Sequence, residues 1–516
     1  MSDSKSLPFA FSANFNTRSE STGTELQAQS DRRFSIALMS DFSGAQNNAG
    51  SADLSGRRFV EIDRYNYDEI LASMGLQLKL CLDADEDSGV DVSISSLKDF
   101  HPDQLYKNVA VFGQLRDLRQ RLNNPQTFKQ ALEEISDFRE DELLPVEEEP
   151  QQPQITETPA VDSSGGSILD SILEETENRS ADNGKISNSA ELVQESKSLV
   201  DGFIRKLVAN KKGVISRDSR QDEMVAAVDE AITLQMRSLL HHPQFQALES
   251  SWRAVHFMVR RLRAGKSLKL YLLDVGREAL AADLEIDDVT QSQLYKLFCD
   301  TSIGDVDWNL IIGDYRFGAD IDDVLLLSQL GVIAQQAGAQ FIAAADEKLV
   351  GCDAFAQSEN PDKWLYEMPQ PVEKAWSILR KSAVAKNISL ALPRFILREP
   401  YGSKATPVKS FSFEEMPSSP EHESYLWGNP AFLKAEQIAR SFLQTGWEMQ
   451  YANVMNTEDL PLHYYQQAGR TLVKPCAEIP LTENGGAKML AQGLIPLWSV
   501  KDADRIHSGD FHSIAE

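Results

Sequence analysis

The stretch His241–Val255, HHPQFQALESSWRAV, supports two opposite interpretations of the chain. Two adjacent histidines close to Glu249, Ser250, Ser251 and His256 suggest a metal or hydrolase site. The same residues also fit the start of a buried helix, with the histidines in its capping turn. The choice between these interpretations decides whether the protein is an enzyme.

The spacing of the apolar residues favours the helix. They recur every three or four residues and define one buried helical face: Phe245, Leu248, Trp252, Val255, Val259 and Leu262. Pro243 suits the first helical turn, which leaves His242 near the N-cap. The histidines therefore lie at a helix boundary, and an HxxxH pair on one face is missing. We expect the first four apolar residues to pack in a core, and we expect no catalytic, cofactor-binding or metal-binding residue in this stretch.

Composition narrows the class of protein further. The 516 residues include 78 acidic and 51 basic ones, a formal net charge of −27. Such a charge repels phosphate backbones and anionic lipids, so we expect neither nucleic acid binding nor direct membrane insertion. No run of 18 apolar residues occurs, and the N-terminus lacks the pattern of a secretory signal. The four cysteines lie far apart without CxxC pairing, which favours a reducing cytoplasm.

An acidic segment divides the chain. Glu140 to Ala160 holds seven acidic residues and four prolines, without Lys or Arg, and is therefore expected to be a linker. The predicted organisation is an N-terminal arm (1–32), a small domain (33–139), a linker (140–166), a short amphipathic helix (167–180) and a large domain (181–516).

The small domain shows strand patterns followed by a helix pattern. LPFAFSANF alternates apolar and polar residues and presents Phe9, Phe11 and Phe15, while RFSIALMSDFSG resembles a second strand. LQLKLCLD and VDVSISSL predict a hairpin around DADEDSG. One helix is expected from Pro102 onward, with an apolar stripe of Leu105, Val109, Phe112, Leu115, Leu118 and Leu122.

The large domain alternates strand and helix patterns. SLKLYLLDV, WNLIIGDYRF, AQFIAAA and ISLALPRFIL are predicted strands, and DIDDVLLLSQLGVIAQQAG is a helix with an acidic first turn. This alternation indicates an α/β fold with a covered sheet.

The motifs that would indicate catalysis or ligand binding are incomplete or absent in this sequence. AGKS, from Ala264, lacks the glycine of a phosphate-binding loop, since that position is Arg260. A calcium loop from Asp83 would need glycine and glutamate where Ser88 and Ile94 stand. GDYRFG is expected to be a strand end, and no GxSxG or HExxH occurs. We therefore expect no enzymatic activity and no cofactor.

Several of these segments resemble one family in order along the chain. LLHHPQFQALESSWRAVHFMV, IIGDYRFG, AQFIAAA, LALPRFILREPYG, YLWGNPAF and GLIPLWSVKDAD resemble the large contractile-sheath subunit of type VI secretion systems, TssC or VipB. FSIALMSDFSG, GRRFVEIDRYNYDEIL and SLKDFHPDQLY resemble the small subunit, TssB or VipA. The resemblance implies a contractile tail-sheath-like fold of two intertwined parts, fused here in one chain.

The resemblance also implies a structural role. The chain would assemble in the bacterial cytoplasm with copies of itself or other sheath subunits, around an inner tube protein. Baseplate components and the AAA+ disassembly ATPase (ClpV) are further implied partners. Because the resemblance stops short of the family's C-terminal segment, a sheath-like accessory that caps, nucleates or regulates an ordinary sheath is the alternative.

Two segments are candidate contact sites under this resemblance. SILDSILEETE presents Ile168, Leu169, Ile172 and Leu173 as an apolar patch, either for recognition by the ATPase or for packing on its own domain. The arm with Phe9, Phe11 and Phe15 either exchanges a strand with a neighbour or completes its own sheet.

Overall fold

A computed structural model describes residues 33–44, 53–81, 89–131, 217–300, 306–358, 360–417, 420–449 and 454–516. The predicted arm, linker and short amphipathic helix lie outside the described residues. The chain forms two compact units. The described residues of the first unit are 33–44, 53–80, 89–110 and those from 239 onward, and those of the second are 81, 111–131 and 217–238.

The strands, in chain order, are as follows: β1 Phe34–Ser40, β2 Val60–Ile62, β3 Leu76–Leu80, β4 Val90–Ile94, β5 Leu268–Asp274, β6 Trp308–Phe317, β7 Gln340–Ala345, β8 Ile388–Leu392, β9 Phe395–Ile396, β10 Trp427–Gly428, β11 Asn456–Thr457, β12 His463–Gln467, β13 Arg470–Lys474, β14 Ile495–Ser499 and β15 Ile506–Ser508.

The α-helices are α1 Tyr67–Ser73, α2 Pro102–Asn108, α3 Gly113–Asn123, α4 Arg217–Leu240, α5 Pro243–Arg261, α6 Arg277–Leu284, α7 Gln293–Cys299, α8 Ile321–Ala337, α9 Gln370–Lys381, α10 Pro430–Thr445 and α11 Glu483–Ala491. Short 3-10 helices cover Leu97–Phe100, Ala110–Phe112, Val289–Gln291, Glu347–Val350, Pro361–Lys363, Ala383–Asn387, His422–Ser424 and Gly446–Glu448.

Nine of the described strands form one sheet in the order β11-β15-β14-β8-β7-β6-β1-β5-β2. The run from β14 through β8, β7, β6 and β1 to β5 is parallel, whereas β2 and β15 join it antiparallel. The predicted strands of the large domain are β5 to β8, and the predicted hairpin is β3–β4. The α/β fold class, with mixed sheets flanked by helices, is confirmed.

Both faces of the central strands are covered. Ala37 and Met39 of β1 belong to a core cluster that includes residues of α8 and α9. Phe34 points to the other face, where its ring centroid lies 4.8 Å from that of Phe442 on α10. Because successive side chains of a strand alternate between faces, every residue of β1 is buried.

Helix α8 begins and ends where its sequence predicts. The carboxylate of Asp320 accepts a hydrogen bond from the Asp322 amide at the N-cap. Gly338 follows the last turn with φ +70°, a left-handed conformation that glycine adopts without a Cβ clash.

Two predicted elements are each divided. The single helix from Pro102 is wrong: α2 ends before Val109, whose backbone is extended (ψ 129°), and α3 starts at Gly113. Leu115 and Leu118 are consequently only half-buried. The strand ISLALPRFIL is also interrupted, because Pro393 has no N–H to donate to a ladder, and it separates β8 from β9.

The second unit pairs α3 with α4. The Arg119 guanidinium binds both carboxylate oxygens of Asp229, and the Nη2–Oδ2 distance is 3.2 Å. The Gln221 side-chain amide donates to the Leu122 carbonyl oxygen at 2.9 Å. Buried apolar side chains on α4, such as Val228 and Ile232, complete the unit.

Candidate functional site

Within the first unit, the described residues before position 111 (the N-terminal part) and after position 238 (the C-terminal part) both contribute strands to the nine-stranded sheet. We call the contacts between these two parts the seam. β1 lies in the slot between β5 and β6 and pairs with β5 along its whole length, from Phe34 opposite Leu268 to Ser40 opposite Asp274. β2 flanks the other side of β5. Both sheet neighbours of β5 therefore come from the N-terminal part.

Trp252 anchors the seam on α5. It is 0% exposed, and its Nε1 donates to the Phe42 carbonyl oxygen at 2.9 Å. Its own carbonyl oxygen accepts from the Tyr67 hydroxyl, also at 2.9 Å. The Trp252 ring centroid lies 5.6 Å from that of Phe42 and 5.8 Å from that of Tyr67. One side chain thus binds two segments of the N-terminal part.

The other predicted core residues on α5 are also buried: Phe245, Leu248 and Val255. Phe245 packs edge-on against Phe100, with ring centroids 5.5 Å apart. The apolar face of α5 that the sequence predicts therefore faces the N-terminal part at two separate points.

The two histidines of the opening stretch lie at the start of α5. His242 is the N-cap residue, and its Nδ1 accepts from the Gln244 amide at 3.3 Å. Burial lowers the pKa of His242, which favours the neutral ring that this acceptor role needs. Nε2 of His241 lies 3.6 Å from a carboxylate oxygen of Glu415. Within the described ranges, no group of three His, Cys, Asp or Glu side chains could hold a metal ion.

A polar cluster crosses the seam at the end of β1. The Ser40 hydroxyl lies 2.8 Å from the Ser251 hydroxyl, and both donate to Asp314 Oδ2, at 2.9 and 2.8 Å. Burial raises the pKa of Asp314, although these hydrogen bonds counteract the shift. The cluster joins β1, α5 and β6. Asp314 belongs to the GDYRFG segment, which sequence patterns treat only as a strand end.

A second cluster is formed by buried charges beneath α5. Arg398 donates to Glu249 from Nε at 2.8 Å and to Glu415 from both terminal nitrogens, at 2.7 and 2.9 Å. Arg253 adds a contact from Nε to Glu249 at 2.6 Å and one from Nη2 to the Tyr401 hydroxyl at 2.9 Å. Burial by itself raises the pKa of Glu415, but the adjacent Arg398 outweighs it and brings the value to about 2. Two acids and two bases therefore neutralise each other.

The N-terminal part docks directly beside these charges. The His101 ring lies edge-on to Tyr401, with centroids 4.9 Å apart. Asp103 Oδ1 accepts from the Ser410 and Lys409 amides at 2.8 and 3.0 Å. The Tyr106 ring lies 5.0 Å from Phe411. Glu249 and Arg253 are four residues apart on α5, but their partners Arg398, Tyr401 and Glu415 lie far along the chain, so sequence spacing gave no signal of the whole cluster.

A cavity of about 580 Å³ opens at the carboxyl ends of β1 and β6. Its arginines are held by acidic partners, as in the ion pairs Arg277–Asp323 and Arg394–Glu478. The side chains of the seam, taken together, supply hydrogen bonds, ion pairs and apolar packing. Such an arrangement binds two parts of a chain firmly together.

No helix in the described part of the chain has the length and apolar character to cross a membrane. Residues 222–513 match the family VipB, described as "EvpB/VC_A0108, tail sheath N-terminal domain". Residues 20–153 match the family described as "Type VI secretion system, VipA, VC_A0107 or Hcp2". The type VI secretion system sheath protein TssC1 of Pseudomonas aeruginosa is 29% identical over 326 residues. That alignment covers 60% of this chain and 66% of the relative, slightly under two thirds.

Proposed function

Since the chain belongs to the type VI secretion tail-sheath family, with a VipA-like and a VipB-like region on one polypeptide, we propose that it assembles into a contractile sheath. Its partners in that assembly are copies of itself or other sheath subunits, and the sheath surrounds an inner tube protein in the bacterial cytoplasm. A sheath-like accessory that caps or regulates an ordinary sheath is not favoured, because both regions match families of sheath subunits.

The observation that carries the proposal is the position of β1. This strand of the VipA-like region lies between β5 and β6 of the VipB-like region, in the middle of the sheet. A subunit that transmits force must keep its parts together under load. A central parallel strand resists separation well, because it is hydrogen-bonded on both sides and buried on both faces.

The role is structural and needs no catalytic residue. The polar clusters of the seam consist of hydroxyls and carboxylates that satisfy one another, as in Ser40, Ser251 and Asp314. Energy for movement would come from the assembled lattice.

Two sites in residues outside the described ranges belong to the same proposal. The arm with Phe9, Phe11 and Phe15 exchanges a strand with a neighbouring subunit. The helix with Ile168, Leu169, Ile172 and Leu173 binds the disassembly ATPase (ClpV) through its apolar patch, and baseplate components contact the end of the sheath. A peptide of residues 167–177 should bind the N-terminal domain of that ATPase, and Leu169→Asp should abolish binding.

Electron microscopy of the purified full chain tests the main proposal. Long regular tubes are expected, alone or in the presence of an inner tube protein. The matched control is Ala37→Pro, which disrupts β1 and should yield no tubes. Only small species at high concentration, with and without the inner tube protein, would contradict the assembly role.

A further inference from the structure

The helices that cross between parallel strands all run in one direction. α5 precedes β5, α8 lies between β6 and β7, and α9 precedes β8. Each therefore starts at the edge of the sheet where the parallel strands end, and finishes at the edge where they begin. We call these the carboxyl edge and the amino edge.

Charges that suit the helix dipoles consequently collect at opposite edges. Acidic side chains occupy the first turns at the carboxyl edge, including Asp322 on α8 and Glu373 on α9. Basic side chains occupy the last turns at the amino edge, including Arg260 on α5 and Arg380 on α9. Each placement stabilises its own helix. Together the placements put basic helix ends at the amino edge of the sheet and acidic helix starts at the carboxyl edge.

The amino edge also carries exposed basic side chains that lie outside the last turns of the helices. Arg263 and Lys266, in the turn between α5 and β5, are exposed, as is Arg260. Arg33 is exposed beside them, since the amide of the next residue, Phe34, donates to the Ser267 carbonyl oxygen at 2.7 Å. Among the described residues, these four cations form no ion pair within 4.0 Å. They come from both sides of the seam, so the patch exists only in the docked molecule.

The carboxyl edge offers the opposite surface. Asp320, Asp322 and Glu373 are exposed. Leu325 follows Asp322 by three residues on the same face of α8 and is 56% exposed. An acidic surface that includes an exposed apolar side chain can form both long-range and short-range contacts.

We propose that the basic edge of one copy (Arg33, Arg260, Arg263 and Lys266) binds the acidic edge of the next copy (Asp320, Asp322 and Glu373), head to tail. The inference rests on the proposed assembly and names the surfaces that make it. Two copies with a net charge of −27 repel each other in most orientations. Apposition of unlike edges is favourable, and because the two surfaces differ, the contact is heterologous and can repeat from copy to copy, as an open helix when the rotation does not close into a ring.

Two charge-reversed variants of the full chain test this pairing. Reversal of three cations, Arg33→Glu, Arg263→Glu and Lys266→Glu, leaves one cation and three carboxylates at the basic edge, so that both edges are acidic. Asp322→Lys with Glu373→Lys leaves one carboxylate and two cations at the acidic edge, so that both edges are basic. Each variant alone should need at least about tenfold more protein than wild type to assemble at low salt, measured by light scattering and sedimentation. An equimolar mixture should assemble near the wild-type concentration, since the two variants can alternate. Assembly of the wild type should weaken as salt rises.

Arg470→Glu reverses the charge of an exposed residue of β13 that belongs to neither edge set, and this control for charge reversal as such should assemble like wild type. Circular dichroism melting of each variant separates misfolding from lost assembly. Wild-type tubes together with normal assembly of either variant alone would overturn the edge pairing while leaving the sheath proposal intact. Failure of the mixture would also overturn it and would assign the basic edge to another polyanion. Absence of any wild-type assembly would refute both.

Discussion

Truncation of Trp252 should destabilise the protein mainly through the seam. Loss of a buried Trp to Ala costs about 3–5 kcal/mol through the cavity that it leaves. The buried Phe42 carbonyl oxygen, 2.9 Å from the indole nitrogen, also loses its donor, which adds about 1–3 kcal/mol. The total of about 4–8 kcal/mol is comparable with the whole stability of a typical domain. Trp252→Phe retains most of the packing and should cost about 1–3 kcal/mol.

Urea unfolding followed by far-UV circular dichroism measures both costs. Trp376→Ala is the matched control, because Trp376 is buried in the core cluster around α8 and α9. A second readout separates the two sites. After specific cleavage between Glu149 and Gln154, the wild-type fragments should remain associated on gel filtration at micromolar concentration. Trp252→Ala should release them, and Trp376→Ala should not.

Two results would refute this reasoning. One is a cost for Trp252→Ala no greater than that for Trp252→Phe. The other is separation of the wild-type fragments after cleavage, since the seam would then be too weak to join the two parts.

Three further predictions concern buried groups. Ala37→Pro removes a backbone donor from the middle of β1, so it should lower the free energy of unfolding by about 3 kcal/mol and increase amide hydrogen exchange across β5. Unchanged exchange in β5 would contradict the position of β1 between β5 and β6. Arg398→Met leaves buried Glu415 without its guanidinium partner and Glu249 with Arg253 alone, so it should lower the free energy of unfolding by about 3–5 kcal/mol, whereas a neutral effect would mean that Glu415 is solvated. The buried Lys434 Nζ donates to Ser508 Oγ at 3.0 Å and to the Gly509 carbonyl oxygen at 2.8 Å. Burial lowers the pKa of Lys434 from 10.5 to about 7. The unfolded chain therefore binds the extra proton between these pH values, so stability should rise with pH from about 7 to about 10.5, and Lys434→Met should flatten that rise.

Local sequence patterns predicted the elements whose periodicity and capping residues lie within one short segment. β1, the β3–β4 hairpin, α5 with its His242 cap and α8 with its acidic first turn follow from periodicity and capping alone. The apolar stripe from Leu105 to Leu122 led to the wrong prediction of one helix, because two consecutive helices have the same apolar spacing. An extended residue, Val109, interrupts the run without any change in hydrophobic pattern.

Contacts between distant residues had no signal in the sequence. The two hydroxyls that bind Asp314 come from positions 274 and 63 residues earlier, so no motif links them. Arg398 reaches a glutamate 149 residues away. Each group alone has the character of an ordinary surface residue, and only folding reveals that it is buried with a complementary charge. The place of β1 between β5 and β6 is likewise a matter of long-range pairing, which periodicity does not encode.

The pairing of β1 with β5 and β6 cannot form until late in the synthesis of the chain. The strand leaves the ribosome 227 residues before the first residue of β5, its earliest sheet partner, because residues 41–267 intervene. At about 5–20 residues per second, the nascent chain carries β1 for roughly 11–45 s without that partner. All seven of its residues, FSIALMS, are buried in the finished protein and would be exposed to water meanwhile. Cells that make this chain therefore face an aggregation hazard on the ribosome, and the yield of soluble protein should depend on a chaperone that covers β1 until residue 317 has emerged.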